Sequence, residues 1–394
     1  MSRELVYTPI KEFGKIVTGK TPKTENTTLW GGDVPFITPT DIPTFDTKFV
    51  VKTERTISKA GVRSQKNSLL PSNSLCVSCI ATIGKICLTN KPTITNQQIN
   101  SIIVNEKYSS DYLYYAFRYY LPYLQLIGGG TGSGTPIINK NKFSRLKYPV
   151  FKELNYQNEV ASILSKYDEL ILNNNERISV LEDMAKALYK EWFVRFRFPG
   201  YEKATFENGL PKGWKIVRIK ECCITKIGGD APKNVSPIPT NEKPYSVFSN
   251  GLTNDGLYGY YDNYKIDKPS VTVSARGTVG FVCLRRAKYT PIVRLISLIP
   301  NPEIDLFYFY ESLKYVDLSG NGTSQQQLTA PMIAKRKIII ASRDLILKFG
   351  KIVVNFFDEI ENLKKQNTIL AVQRDLLLPR LMSGKLSVEG KEIV

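Results

Sequence analysis

One stretch of this chain occurs twice, and that repetition constrains its fold more than any other feature. Val77-Ser78-Cys79-Ile80-Ala81-Thr82-Ile83-Gly84-Lys85-Ile86-Cys87-Leu88 recurs as Val273-Ser274-Ala275-Arg276-Gly277-Thr278-Val279-Gly280-Phe281-Val282-Cys283-Leu284. Without gaps, six of the twelve positions are identical and two more exchange Ile for Val. Upstream, Lys11-Glu12 and Gly19-Lys20-Thr21-Pro22-Lys23 find counterparts in Lys220-Glu221 and Gly229-Asp230-Ala231-Pro232-Lys233. Each copy reads as a strand, a Gly-centred turn and a second strand. Two copies of one module imply two similar cores and a target with two parts.

Charge narrows the target. The 394 residues carry a formal +18, which favours a polyanion, nucleic acid first. No run of eighteen apolar residues is present, so no membrane partner is expected, and Met1-Ser2-Arg3-Glu4-Leu5 does not open a signal peptide. Six scattered cysteines fit a reducing cytoplasm better than a secreted disulfide framework. Histidine is absent, which removes Ser-His-Asp and Cys-His nucleophiles and His-ligated zinc. Cys76-x-x-Cys79 has half a zinc spacing, but the repeat puts Thr272 and Ala275 at the same points. No metal is expected, and buried thiols are.

Residues 1–152 mix short strands with one helix near Asp111 to Leu126, and 199–342 form the second module. Between and after them lie two helical regions, 153–198 and 343–394. In the first, Val160, Leu164, Tyr167, Ile171, Asn174, Ile178, Leu181, Ala185, Leu188 and Trp192 step 4-3-4-3, the inward pattern of a coiled coil. In the second, Phe349, Val353, Phe356, Ile360, Leu363, Asn367, Leu370, Arg374, Leu377 and Leu381 keep the rhythm until Pro379 disturbs the last turn. Matched antiparallel at their centres, partner numbers sum to a constant. Val160 then meets Leu381, Asn174 meets Asn367, and Tyr167 meets Arg374 in a cation–π contact. Asn residues lying just off the seam would suit the same pattern. As helix, residues 160–192 span roughly 50 Å at about 1.5 Å per residue, about one and a half turns of B-DNA at about 34–36 Å each. Such a rod could act as a ruler between two short sites. The expected fold is α+β: two mixed α/β modules separated by two long antiparallel coiled-coil helices, with a pseudo-two-fold repeat.

The opening of the first module, Gly19-Lys20-Thr21-Pro22-Lys23 followed by Trp30-Gly31-Gly32-Asp33-Val34-Pro35-Phe36-Ile37-Thr38-Pro39-Thr40-Asp41-Ile42, resembles the target-recognition domain of type I restriction-modification specificity subunits. Leu188-Tyr189-Lys190-Glu191-Trp192-Phe193 leading into Phe198-Pro199-Gly200-Tyr201-Glu202, and Arg374-Asp375-Leu376-Leu377-Leu378-Pro379, resemble that family's spacer ends. The second module departs from the pattern, because no Trp-Gly-Asp block follows Pro232. The resemblance implies two target-recognition domains on double-stranded DNA, with helices that dock two modification (methyltransferase) subunits. Restriction subunits could join them. S-adenosylmethionine, ATP and Mg would belong to those partners, with no cofactor on this chain. In keeping with that, there is no Asn/Asp-Pro-Pro-Tyr/Phe block and no Gly-x-x-x-x-Gly-Lys-Ser/Thr loop.

Phosphate contacts call for Lys, Arg, hydroxyls and free amides, whereas base edges call for forked side chains. Candidates in the first module are Lys20, Lys23 and Thr24 in the Gly/Pro loop; Arg63, Gln65 and Lys66; Gln97 and Gln98; and Thr131, Ser133 and Thr135 in a glycine-rich loop. In the second they are Lys233 and Asn234, Arg276 and Thr278, and the run Asn321, Thr323, Ser324, Gln325, Gln326 and Gln327. Three adjacent glutamines suit adenine edges, and a merely solvated loop would look the same. Two other functions remain open. A self-contained enzyme would need a catalytic domain for which no segment is left over. A stand-alone basic DNA-binding protein without an enzymatic partner has the charge in its favour and the long apolar heptads against it.

Overall fold

In the computed structural model, residues 4–43, 47–50, 52–128, 135–319, 327–386 and 388 are described. They fall into two compact units, Met1–Glu176 with Asn362–Val394, and Arg177–Glu361.

In the first unit, a four-stranded antiparallel sheet runs in the order Gly14–Thr18, Ile99–Val104, Leu75–Ser78, Ile86–Leu88. A three-stranded sheet places Trp30–Ile37 between Arg55–Ile57 and Ile94–Thr95, the latter parallel to it. Leu5–Pro9 pairs with Lys147–Phe151. Alternation of apolar side chains decides which face is buried: Leu75 and Val77 join one cluster and Cys76 another. Cys79 lies with Leu75 and Val77, an odd step from Cys76, so the two thiols sit in different clusters. Burial pushes the Cys79 thiol up to about 11.

The single helix expected near 111–126 is two, Ser110–Tyr119 and Leu121–Gly128. Pro122 cannot donate to an upstream carbonyl, so it is accommodated only in the first turn of a new helix. The Ser109 hydroxyl caps the first by accepting from the Tyr112 amide at 3.4 Å. That helix buries Tyr112 to Phe117 without interruption, and Phe117 stacks on Tyr148 at 4.2 Å.

The second unit repeats the sheets and their pairings. Its four-stranded sheet is ordered Cys223–Ile227, Ile296–Pro300, Ser270–Val273, Val282–Arg285. Its three-stranded sheet sets Tyr245–Phe248 between Leu257–Tyr261 and the parallel Tyr289–Pro291, and Lys215–Arg218 pairs with Lys337–Ile340. Cys76 opposite Ser101 and Cys87 becomes Thr272 opposite Ser297 and Cys283, each position advanced by 196. The same advance carries the Ser109 cap to Asp305, whose Oδ1 accepts from the Phe307 and Tyr308 amides at 2.9 and 3.0 Å. One expected equivalence moves by a residue: the strand register sets Gly228, not Gly229, at the place of Gly19.

Two long helices, Leu154–Tyr189 and Arg343–Met382, complete the chain, and the first ends in a π-helical turn at Lys190–Val194. The second stays helical through Pro379, where a disturbed last turn is expected, and the Ser383 amide donates to the Pro379 carbonyl at 3.1 Å. Each unit holds one stretch of each helix. In the first unit, Val160, Leu164, Ile171, Leu363 and Leu381 are buried and Tyr167, Leu370 and Leu377 partly so. In the second, Ile178, Val353, Ile360 and Trp192 are buried, and Leu181, Leu188 and Phe356 partly so. Trp192 and Phe349 lie 6.2 Å apart between ring centroids.

The two seam asparagines meet. Asn174 Nδ2 donates to Asn367 Oδ1 at 2.9 Å, and Asn367 Nδ2 donates to Asn175 Oδ1 at 2.9 Å. Asn174 is only 6% exposed, and its other acceptor among the described residues, Gln366 Oε1, lies at 3.5 Å, so Asn367→Leu alone should cost about 1–3 kcal/mol by removing the nearer partner of a buried amide, while adding Asn174→Leu should recover most of it. Urea denaturation of the two variants checks this, and a double variant weaker than the single one would contradict it. The expected Tyr167–Arg374 contact is not what forms. Arg374 Nη1 bonds Asp168 Oδ1, and its Nε donates to Asp375 Oδ1 at 3.0 Å.

Candidate nucleic-acid interface

At one end of the first unit's four-stranded sheet, three connections are tied together by main-chain bonds. Leaving Gly14–Thr18, the Gly19 amide donates to Ile99 O at 3.0 Å and the Lys20 amide to Thr95 O at 2.9 Å. A Cβ on Gly19 would come within 2.1 Å of Asn96 O, so only glycine lets the loop approach this closely. Thr21 Oγ1 donates to Gln97 Oε1 at 2.6 Å. From the repeated hairpin, the Cys79 amide donates to Gln98 O at 2.7 Å. The segment after the glycine-rich loop closes the edge: Ile138 N to Cys79 O at 2.8 Å and Ala81 N to Pro136 O at 2.9 Å.

Lys20, Gln97, Gln98 and Thr135 are thereby gathered, with Lys20, Gln97 and Thr135 exposed. Lys23 and Thr24, also exposed, are held by Trp30, whose Nε1 donates to Lys23 O at 3.2 Å. The Arg55 guanidinium lies 3.3 Å from the centre of the Trp30 ring and supports it from behind. Arg63 and Lys66 are exposed around the helix Lys59–Ser64, which packs on Thr27–Leu29 rather than on the Gln97 turn. Gln65 is a correction: at 9% exposed it ends that helix, with its amide donating to Gly61 O and Val62 O. It is not available as a surface reader. Thr131 and Ser133 lie outside the described residues.

The second unit builds the same edge with different side chains. The hairpin bonds match: Ser78 N to Lys85 O and Gly84 N to Ser78 O become Ser274 N to Phe281 O and Gly280 N to Ser274 O. Ala81 at φ 61 matches Gly277 at φ 69, so the turn demands a left-handed residue whether or not glycine is there. Gly228 N donates to Leu295 O at 2.8 Å, Arg294 N to Gly228 O at 3.0 Å, and Val293 N to Gly229 O at 2.7 Å. Leu328 N donates to Ala275 O at 3.0 Å, which brings Gln327 beside the hairpin.

Arg276 and Thr278 are exposed on that hairpin. Lys233 and Asn234 are exposed on a turn held by Lys243, whose Nζ donates to Asn234 O. Gln327 is partly buried, while Asn321, Thr323, Ser324, Gln325 and Gln326 lie outside the described residues. Two residues escaped the sequence reading. Asn250 clamps two turns: its Oδ1 accepts from Ala275 N at 2.7 Å and its Nδ2 donates to Val293 O at 2.6 Å. Arg294 stands at the place of Gln98, 196 positions on, and extending the repeat past Leu284 would have found it. Nothing in the local sequence marks Asn250, because its partners are 25 and 43 residues away.

The family profile described as type I restriction modification DNA specificity domain matches residues 3–183 and again 211–371. The chain is 28% identical over 404 aligned residues to the MjaIX type I restriction enzyme specificity subunit of Methanocaldococcus jannaschii, covering 96% of this chain and 93% of that one. It is 36% identical over 183 residues to the HindI specificity subunit of Haemophilus influenzae, 44% of this chain and 38% of that one. In fold it is similar to a type I restriction-modification S subunit from M. genitalium, with TM-score 0.56 at 17% identity and 96% of each chain covered. With both copies of the repeat inside matched segments, the chain belongs to the type I restriction-modification DNA specificity family, as a DNA-recognition subunit with two recognition domains.

Proposed function

We propose that each unit's edge reads one half of a split DNA target, and that the chain directs chemistry done elsewhere without catalysing any step. The observation that carries this reading is the duplicated edge, in which matching main-chain bonds at Gly19 and Gly228, in the two hairpins, and from Ile138 to Cys79 and Leu328 to Ala275 frame Lys20, Gln97 and Gln98 in one unit and Arg276, Arg294 and Gln327 in the other. Two modification subunits would dock on the helical regions and transfer the methyl group of S-adenosylmethionine to adenine. Restriction subunits, where present, would supply the ATP- and Mg-dependent steps. Such a complex works in the cytoplasm, where the genome is. In keeping with that, no helix among the described residues is long and apolar enough to cross a membrane.

The test is a genome-wide map of adenine methylation in cells carrying the chain with its modification subunit, against cells lacking only this chain. A split motif, two short blocks around a fixed unread gap, should vanish on deletion. Unchanged methylation would leave a basic two-module DNA binder without an enzymatic partner. A second expectation concerns Lys20, an exposed cation on the edge. Lys20→Ala should weaken binding to all sequences alike and reduce the slope of log affinity against log salt by about 1. Fluorescence anisotropy over a salt series reads both, and a loss confined to one sequence would contradict a phosphate contact.

A further inference from the structure

Arg294 is held in a way that a solvent-facing arginine does not need. Val293 and Arg294 adopt consecutive left-handed conformations, φ 51 and 62, which a β-branched and a long side chain enter only under constraint. The constraint is visible: both amides donate into the Gly228–Gly229 backbone, and Asn250 holds the Val293 carbonyl. At the matching place in the first unit, Gln97 and Gln98 show no left-handed backbone. There the Gln98 amide is occupied, its Oε1 accepting from Asn96 Nδ2 at 2.8 Å. Arg286 and Arg336 of the second unit pair with Asp358 and Asp317. Arg294, exposed, pairs with no carboxylate among the described residues.

Beside it lies an open recess of about 370 Å³, lined by Gly228, Ala275, Arg294, Gln327 and Thr329 among others. We infer that this recess is a base-edge subsite in which Arg294 reads one guanine of the second half-site. The chemistry selects the base. A guanidinium offers only donors, in a planar fork. In the major groove guanine alone presents two adjacent acceptors, O6 and N7, whereas adenine pairs an acceptor with a donor, cytosine shows a donor, and thymine shows one acceptor beside a methyl group. A phosphate contact would tolerate a freely moving side chain on relaxed backbone. The strained turn instead fixes where the fork starts, as a bidentate contact with one base edge requires.

This inference rests on the DNA-reading function proposed above, and its test separates the two. The variants are Arg294→Ala and Arg294→Gly, expressed as the full chain with its modification subunits. Glycine suits a left-handed position, so it removes the side chain without unfolding the turn. With either variant, the methylation map should keep the first half-motif and the gap, and lose discrimination at one G·C pair of the second by about tenfold to a hundredfold. A second half-motif unchanged by Arg294→Gly would overturn the assignment, and so would a uniform loss at every site. A wild-type complex that methylates no split motif would sink the parent reading, and this one with it.

Discussion

Arg374→Ala is expected to destabilise the first unit by about 3–5 kcal/mol, the usual cost of stranding one member of a buried ion pair. Arg374 and Asp168 are 2% and 4% exposed, and each is bound beyond the pair. Asp168 also accepts from the Tyr115 hydroxyl, and Asp375, which Arg374 Nε reaches, accepts from Arg118 Nη2 at 2.8 Å. Burial works against the guanidinium charge, yet Asp168 and Asp375 outweigh it and hold the Arg374 pKa above its ordinary value. Removing the arginine therefore leaves the buried Asp168 without its cation. Replacing both with leucine should recover much of the loss, since apolar packing often equals a buried pair. Urea denaturation of the single and double variants gives the coupling energy directly. A single-variant loss below about 1 kcal/mol would show that water reaches the pair.

Phe349→Ala should cost a similar amount in the second unit, about 3–5 kcal/mol. Phe349 is fully buried, with ring centroids 5.4 Å from Phe193, 5.9 Å from Tyr189 and 6.4 Å from Tyr308. Phe193 in turn lies edge-on to Tyr308 at 4.8 Å, so one truncation opens a cavity along several rings. Phe349→Leu keeps most of the volume and should cost about 1.5 kcal/mol or less. Near-ultraviolet circular dichroism during thermal melting distinguishes the two. Equal melting of the alanine and leucine variants would mean that the cluster closes over the gap.

How much of this was legible in the sequence follows from which interactions are local. The repeated hairpins were, because a strand, a glycine turn and a strand are written in consecutive residues. The helix seam was too, down to the Asn174–Asn367 pair, because a 4-3 rhythm fixes which residues face inward. The seam failed in a regular way. Asp168 took the partner assigned to Tyr167, and Phe357 and Leu378 are more buried than Phe356 and Leu377. Each miss lies one residue later than a strict heptad allows. A helix of 3.6 residues per turn drifts about 20° per heptad against that repeat, which turns the following side chain inward. At the edges, the loops that carry Lys20 and Arg276 could be named, but not the bonds that join them. Gln65 was misplaced because a short polar string does not reveal which of its members ends a helix. Asn250 and Arg294 gain their meaning only when turns distant in sequence come together.

The bonds that hold each edge are nearly all between main-chain atoms. An amide or carbonyl is the same whatever side chain its residue bears, so substitutions at Gln97, Gln98 or Arg294 leave these main-chain bonds in place, and at Gln97 and Gln98 they remove only the side-chain bonds to Thr21 Oγ1 and Asn96 Nδ2. Folding and choice of target are thus written in separate alphabets. A lineage carrying this architecture can explore new targets by single substitutions, one half at a time, with little threat to the fold that presents them.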